Sequence, residues 1–245
     1  VDLARKGCTA ESYLNVFKEN RVWLGYRNTI FYTLTGTFFS LILTIPSAYA
    51  LSKKSLPGRR LINVFFLIPM YFNGGLIPTY LVMKKIGMVN TWYSLIFIAA
   101  SSVYNMIVTR AYFQSNVPEE LYESARIDGA SELKTFFRIA LPLVKPILAV
   151  MILFFAVARW NDYFNALIYI RDENLYPLAL IMRNILVTQQ IQSALGTGEA
   201  ALIALRKANL MRYAMIIVAT VPIMCVYPFV QKYFDQGVMI GAVKG

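Results

Sequence analysis

The chain has 245 residues, of which 58% are hydrophobic and only 15% charged, and its mean hydropathy is +0.52. Because a soluble domain carries about a quarter charged residues, this composition argues against an ordinary soluble protein. The net charge of +11 would suit nucleic acid or anionic lipid, but no basic helix with interleaved aromatic residues is present. We therefore expect no nucleic-acid partner and interpret the cations as helix-end residues of a protein in a lipid bilayer.

The first part of the chain, residues 1–27, is polar and mixed, and we predict an extracytoplasmic segment that runs along the membrane surface. Three uncharged stretches follow, at residues 28–52, 61–83 and 86–109. Each is near or above the roughly 20 residues that a helix needs to cross about 30 Å of hydrocarbon. The second stretch contains Pro69, Gly74, Gly75 and Pro78. It is therefore either a kinked or broken helix, or one whose small residues permit close packing.

Farther along, residues 213–231 are uncharged, and residues 147–170 are apolar except for Arg159, Asn161, Asp162 and Asn165 near the middle. We predict both stretches as spans, with the polar group facing protein or water. Ionisable residues inside a span indicate a functional site; alternatively, Arg159 and Asp162, three residues apart, pair with each other. The sequence thus predicts an all-α polytopic membrane protein with five transmembrane helices in a domain at 28–233.

Orientation follows from the loop at residues 53–60, which holds four cations around a Pro-Gly turn. By the positive-inside rule this loop is cytoplasmic. Counting spans alternately from it places the loop 114–146 and the tail 234–245 in the cytoplasm. The same count places the loop 171–212 outside the cell.

The second cytoplasmic loop carries the signals of two short helices with a joint. We expect Asn116 to cap the first helix, and Pro118 suits its first turn. Gly129 is expected to end that helix, Ser131 to begin the second, and Pro142 to end it.

Small side chains lie around this predicted joint. Leu121, Ala125 and Asp128 fall near one face of the first helix. Ala125, Gly129 and Ala130 would let another surface approach closely. Two interpretations stay open at this point, a rigid lever that docks a partner protein and an ordinary amphipathic loop helix.

The same loop resembles the EAA loop of bacterial ABC-importer permeases. The matching pattern is Glu123-x-Ala125-x-x-Asp128-Gly129-Ala130, followed by Phe136, Ile139, Leu141-Pro142 and Pro146. Ser124 departs from the pattern, because the family commonly has alanine there. Further stretches resemble the smaller permease subunit of the maltose-type branch, namely Ala48-Tyr49-Ala50-Leu51, Pro57-Gly58-Arg59, Gly75-Leu76-Ile77-Pro78, Trp160-Asn161-Asp162-Tyr163-Phe164 and the ending at 237–245.

This resemblance implies the type I importer permease fold in the bacterial cytoplasmic (inner) membrane. It implies a heterodimer with a sister permease, two ABC ATPase subunits, an extracytoplasmic solute-binding protein, and a sugar or oligosaccharide as cargo. The family usually has six spans, so we expect a first helix to be missing from the N-terminus. Since no Gly-x-x-x-x-Gly-Lys-Ser/Thr loop occurs, we expect a non-catalytic subunit without a cofactor, with ATP and Mg held by the partner ATPases. The absence of histidine, with only Cys8 and Cys225 as cysteines, predicts no metal site.

Residue roles follow as hypotheses. The residues expected to couple to the ATPase are Glu123, Ser124, Ala125, Asp128, Gly129, Ala130, Leu141 and Pro142. The candidate translocation path consists of Ser102, Tyr104, Asn105, Arg159, Trp160, Asn161 and Asp162. Trp160 and Asn161 suit ring stacking and hydrogen bonds to sugar hydroxyls. By resemblance, Gly196 and Gly198 are candidate contacts with the binding protein.

The phrase at 160–169, followed by Arg171-Asp172, looks most like permeases for aldouronate- or alginate-type oligosaccharides. An anionic cargo would suit Arg159. One alternative is an ABC permease for another solute class, such as polyamines, phosphate or amino acids. A second alternative, an ion-gradient secondary transporter or channel, would not explain the pattern at 123–146. If the chain were a structural scaffold, changes at 123–146 would leave transport intact.

Overall fold

The computed structural model describes residues 19–195, 213–214 and 216–225. Within these residues the chain is helical and has no β-strand, which confirms the predicted all-α class. The helices are α1 Asn20–Ser52, α2 Arg59–Tyr71, α3 Leu76–Lys85, α4 Trp92–Phe97, α5 Val103–Asn116, α6 Glu119–Ile127, α7 Glu132–Leu143, α8 Lys145–Trp160, α9 Phe164–Tyr169, α10 Leu178–Leu195 and α11 Ile216–Cys225. Gly196, Gly198 and the tail 234–245, to which we assigned predictions, lie outside the described residues.

Among the described residues α1 is the longest helix, and α4, α5, α8 and α10 pack against it. At a rise of about 1.5 Å per residue, its 33 residues extend about 50 Å, well beyond a hydrocarbon layer of about 30 Å. The helix begins at Asn20, before the uncharged stretch that starts at residue 28, so its first turns belong to the predicted surface segment. Among the described residues it is the one continuous helix long and apolar enough to cross a membrane by itself.

Two bent helix pairs take the place of straight spans. Helices α2 and α3 meet at 113°, and α7 and α8 meet at 83°. If each pair counts as one span, the described residues contain three. The alternatives for residues 61–83 resolve in favour of a broken helix, because α2 ends at Tyr71, soon after Pro69, and α3 begins after Gly75.

The expectation of one continuous helix is wrong for both residues 86–109 and residues 147–170. The first stretch divides into α4 and α5, and the hydroxyl of Ser102 accepts a hydrogen bond from the Asn105 N–H (3.3 Å) where α5 begins. The second divides between α8 and α9, where Asp162 Oδ1 accepts a hydrogen bond from the Asn165 N–H (3.1 Å). Short polar side chains bond to the backbone and start a new helix, so lack of charge alone did not reveal these breaks.

Three clusters of buried side chains join α1 to its neighbours. The end of α1 packs on α5, α7 and α8 through Tyr49, Phe113, Phe136 and Met151. Its start packs on α10 and α11 through Val22, Leu178 and Val218, and its middle packs on α4 and α10 through Tyr32, Ile96 and Leu180. Many large apolar side chains of α2 and of the outer face of α1 stay exposed, which is typical of surfaces that face lipid or partner chains.

Candidate coupling loop and translocation path

The two short helices predicted in residues 114–146 are present as α6 and α7. Gly129 follows α6 with a φ of +69°, a left-handed conformation that favours glycine. The N–H of Ala130 then donates to the carbonyl of Ala125 (2.9 Å), which closes the end of the helix. The Ser131 hydroxyl accepts a hydrogen bond from the Lys134 N–H (3.3 Å) and begins α7. The predicted joint between Gly129 and Ser131 is thus confirmed.

The predicted cap at Asn116 is wrong. Asn116 is the last residue of α5, and its side-chain amide donates to the Tyr112 carbonyl (3.0 Å). Pro118 directly precedes α6, and the acidic Glu119 and Glu120 occupy the first turn, where they complement the positive end of the helix dipole. At the other end of the pair, α7 runs one residue past Pro142 before the chain bends into α8.

The face that we predicted to contain Leu121, Ala125 and Asp128 is not one surface. Ala125 is buried together with Tyr122, whereas Asp128 is exposed. Glu123, Ser124, Gly129 and Pro142 are also exposed, and Ala130 and Leu141 are half-buried. Ala125 therefore packs against its own chain, and the outward surface of α6 is formed by the other side chains.

Three large apolar side chains on the outside of this helix pair were not predicted from the sequence. Ile127 is 86% exposed, and Leu133 and Phe137 are exposed as well. An exposed apolar group on a loop between membrane segments is typical of a surface that another protein covers. Leu133 and Phe137 are four positions apart on α7, a spacing typical of one helix face, but this spacing does not tell whether the face is exposed, and Ile127 lies on the other helix.

An ion pair between buried Lys53 and exposed Glu132 ties α7 to the end of α1. Lys53 is only 8% exposed, and its Nζ contacts Glu132 Oε2. The same ammonium lies 4.6 Å from the ring centroid of Tyr49 and 4.7 Å from that of Tyr122. The Tyr49 hydroxyl donates to Glu132 Oε2 (3.3 Å). We call Lys53, Glu132, Tyr49 and Tyr122 the Lys53 cage.

Electrostatics in this loop, which we place outside the membrane, follow from these contacts. The hydrogen bond from Lys53 lowers the pKa of the Glu132 carboxyl below its ordinary value of 4.5, partly opposed by burial. Burial raises the pKa of Tyr122 to about 12. Both shifts keep the groups in their ordinary states at neutral pH, with Glu132 ionised and Tyr122 neutral, so the cage is a structural tie and not an acid–base centre.

Arg159, the central residue of the predicted translocation path, is only 6% exposed. Its Nη1 donates to the Leu95 carbonyl, and its Nη2 donates to the Ile96 carbonyl (2.9 Å) and Ser40 Oγ (3.4 Å). The side chain crosses α1 at Gly36, where an added Cβ would lie 3.0 Å from Arg159 Nε. Arg159 therefore joins α8, α1 and the end of α4, and its guanidinium is occupied by groups of its own chain.

The alternative pairing of Arg159 with Asp162 is also not observed. Asp162 accepts hydrogen bonds from the Asn165 N–H (3.1 Å) and from Asn165 Nδ2 (2.8 Å). Asn161 is exposed, and its amide donates to the Val157 carbonyl (2.9 Å). Half-buried Trp160 donates through Nε1 to the Ala219 carbonyl (3.0 Å). Exposed Asn161 and the half-buried carboxylate of Asp162 are thus polar groups at the break between α8 and α9.

The second predicted group, on α5, is held by its own helix. The Ser102 hydroxyl serves as the cap, the Asn105 carbonyl accepts a hydrogen bond from Thr109 (2.7 Å), and the Tyr104 side chain is exposed. Within the part of the chain that the structure describes, no hydrogen bond or ion pair joins this group to Asn161 or Asp162. A translocation path that contains both groups stays a prediction.

An apolar groove lies beside Trp160, next to the break between α8 and α9. It measures about 500 Å³ and is formed by α1, α8 and α11, with Trp160, Phe38 and Ile223 in its wall. The hydroxyls of Thr33 and Thr37 in this groove are buried and have no hydrogen-bond partner. Among the described residues, no cluster of metal-ligating side chains occurs.

Comparisons with known proteins extend this picture. The family model "Binding-protein-dependent transport system inner membrane component" matches residues 22–240. Protein LplC of Bacillus subtilis (strain 168) is 40% identical over 240 residues, which cover 98% of this chain and 80% of the relative. The polygalacturonan/rhamnogalacturonan transport system permease protein YtcP of the same organism is 36% identical over 239 residues, which cover 96% and 82%. In the crystal structure of a bacterial ABC transporter involved in the import of the acidic polysaccharide alginate, one chain is similar with a TM-score of 0.80 and 36% identity, over 91% of this chain and 79% of that one.

Proposed function

Since the chain belongs to the family of binding-protein-dependent transport system inner membrane components, we propose that it is the permease subunit that moves a sugar or oligosaccharide in an ATP-driven importer. The observation that carries this proposal is the helix pair α6–α7. It is fixed to α1 through Lys53 and Glu132 on its inner side. On its outer side it presents the uncovered apolar side chains of Ile127, Leu133 and Phe137. A rigid element with one face anchored and one face free is suited to pass motion from a partner into the membrane.

The cargo we propose is an oligosaccharide that contains uronate residues. Two similar proteins support this choice, because one is named as a permease for polygalacturonan and rhamnogalacturonan, and the other is part of a transporter involved in the import of the acidic polysaccharide alginate. Both substrates are acidic polysaccharides. The polar break at Asn161 and Asp162 and the groove beside Trp160 are the candidate contacts in this chain.

The partners follow from the same proposal. Two ABC ATPase subunits hold ATP and Mg, this chain pairs with a sister permease, and an extracytoplasmic binding protein delivers the cargo. This chain itself carries no cofactor and catalyses no reaction. Closure of the ATPase dimer would move α6–α7 as a rigid body and shift α1 with it, so that the spans alternate between two states.

The test uses the complete importer in lipid nanodiscs, with the ATPase rate as readout. We expect binding protein loaded with an oligogalacturonate to stimulate ATP hydrolysis. Binding protein offered a neutral maltooligosaccharide should leave the ATPase rate at its basal value. Ile127→Asp should reduce the stimulation about tenfold, since it places a charge in the docking surface at a cost of about 1.4 kcal/mol. Ile86→Asp is the matched control, because Ile86 is also an exposed isoleucine but lies after α3.

The outcomes separate the parts of the proposal. Full stimulation in Ile127→Asp would refute the coupling role of α6–α7. Stimulation by the neutral sugar alone would refute the acidic cargo and leave the importer assignment intact. A complex that shows no response to any loaded binding protein would refute the assignment itself.

A further inference from the structure

A pocket of about 430 Å³ lies where α2 begins and packs on α5. Its walls are formed by Arg59, Arg60, Asn63, Val64 and Arg110. Three guanidinium groups thus share one small space. None of them has an Asp or Glu partner within ion-pair distance among the residues that the structure describes.

Two of the three arginines are held in place by neutral acceptors. Arg59 Nε donates to the Leu51 carbonyl (3.0 Å), and Arg110 Nη1 donates to Asn63 Oδ1 (2.7 Å). The Nε of Arg110 is buried without a hydrogen-bond partner. Arg60 is exposed and makes no side-chain hydrogen bond within the described residues. Most of the N–H donors in this pocket therefore lack an acceptor. The repulsion between the three positive charges and the buried unpaired donor both favour binding of an anion.

Phosphate is the anion that this arrangement suits. A guanidinium is planar and presents its N–H groups in a fork that matches two oxygens of a phosphate. A phosphate in this pocket would be bound from two helices, because α2 supplies Arg59 and Arg60 and α5 supplies Arg110. Asn63 fixes the orientation of Arg110 from within the pocket.

The surroundings of the pocket indicate a phosphate that belongs to a lipid. Directly along α2, the side chains of Leu61, Phe65 and Ile68 are exposed and apolar, and Val64 connects them to the pocket wall. No residue of α2 is buried. The cationic pocket therefore stands at the end of an apolar helix face, which is the arrangement of a headgroup beside its acyl chains.

We propose that Arg59, Arg60 and Arg110 bind the phosphate of an anionic phospholipid, whose acyl chains lie along the exposed face of α2. The bound lipid supplies the negative charge that the chain itself does not place there. It also stabilises the contact between α2 and α5, since one headgroup is bound by residues of both helices. This site is separate from the coupling loop and from the polar break at Asn161 and Asp162.

The test uses the complete importer in nanodiscs made of equal parts phosphatidylglycerol and phosphatidylcholine, without ATP or sugar. Native mass spectrometry then measures the ratio of the two lipids that stay bound to the complex. We expect enrichment of phosphatidylglycerol, about fivefold lower in Arg60→Gln and lower again in Arg60→Gln/Arg110→Gln, since each arginine near an anionic headgroup contributes about 1 kcal/mol. Arg60 is exposed, so its replacement leaves packing intact. Lys84→Gln/Lys85→Gln, which changes two exposed lysines at the end of α3, should retain the wild-type ratio.

Three results would overturn the proposal. The first is an unchanged lipid ratio in both arginine variants. The second is equal retention of phosphatidylglycerol and phosphatidylcholine by the wild type together with binding of inorganic phosphate, which would assign the pocket to a free phosphate ion. The third is loss of the ATPase subunits from the arginine variants with an unchanged lipid ratio, which would make the pocket a protein-docking surface. None of these results depends on the cargo or on ATP turnover, so the proposed function is tested separately.

Discussion

The Lys53 cage predicts an asymmetry between its two charged partners. Lys53 is 8% exposed, whereas the side chain of Glu132 is 64% exposed. Removing the carboxylate in Glu132→Ala leaves an ammonium buried against Tyr49 and Tyr122. Removing the ammonium in Lys53→Met leaves a carboxylate that water can reach. The first change should therefore destabilise the attachment of α7 to α1 much more than the second.

The magnitudes follow from burial. Breaking a fully buried pair costs about 3–5 kcal/mol, and the two aromatic rings offset part of this cost, so we expect about 2 kcal/mol for Glu132→Ala. For Lys53→Met we expect less than about 1 kcal/mol, because methionine fills the same space and the exposed carboxylate is solvated. Lys54→Met is the control, since Lys54 is exposed beside Lys53.

Amide hydrogen exchange in α6 and α7 of the assembled complex measures these differences locally. At about 1.4 kcal/mol per factor of ten, Glu132→Ala should speed exchange roughly 30-fold, and Lys53→Met should speed it about fivefold or less. Lys54→Met should match the wild type. Equal effects of the two cage variants, or a larger effect of Lys53→Met, would refute the argument from burial.

Three further predictions concern single positions. Gly129→Val should weaken the α6–α7 joint by about 1–2 kcal/mol and reduce stimulated ATPase activity, because its φ of +69° strains a β-branched residue; Gly129→Asn should retain more activity, and equal activity of the two variants would contradict this. Gly36→Ala should lower the apparent melting temperature, since the new Cβ would lie 3.0 Å from Arg159 Nε. Gly74→Ala is the control and should leave the melting temperature unchanged, because its Cβ would meet only Pro78 at 3.8 Å. A lower melting temperature for Gly74→Ala than for Gly36→Ala would count against the packing argument. The pKa of Glu132 is lower in the folded state than its ordinary value of 4.5. Its contribution to stability is therefore complete above pH 4.5 and is lost as the pH falls through the folded pKa. The protection of α7 amides, relative to their exchange rate in the unfolded chain at the same pH, should fall across that interval in the wild type and not in Glu132→Ala, and equal protection profiles of the two proteins would contradict this.

Individual residues in the sequence predicted many of the helix ends. Gly129 and Ser131 marked the joint of the coupling loop because a helix end needs a left-handed residue and a helix start needs a side-chain acceptor. Pro69 and Gly75 left two interpretations open, a broken helix and a closely packed one, and the structure has the break between α2 and α3. The breaks at Ser102 and Asp162 were missed, because uncharged apolar runs on both sides suggested single helices.

Contacts between distant residues could not be predicted in this way. Lys53 and Glu132 are 79 positions apart, and neither residue stands out within its own segment. For Arg159, spacing suggested a pair with Asp162, yet the guanidinium instead binds carbonyls 63 and 64 positions away, at Ile96 and Leu95. Such partners depend on how helices pack, which the periodicity of one helix does not encode.

Uptake into proteoliposomes tests the central proposal most directly. The complete importer is reconstituted with ATP on the side of the ATPase subunits and with binding protein and a labelled oligogalacturonate on the other side. The proposed function predicts accumulation that requires ATP and the binding protein together and is unaffected by a protonophore. Accumulation that proceeds without ATP and collapses with the proton gradient would contradict it.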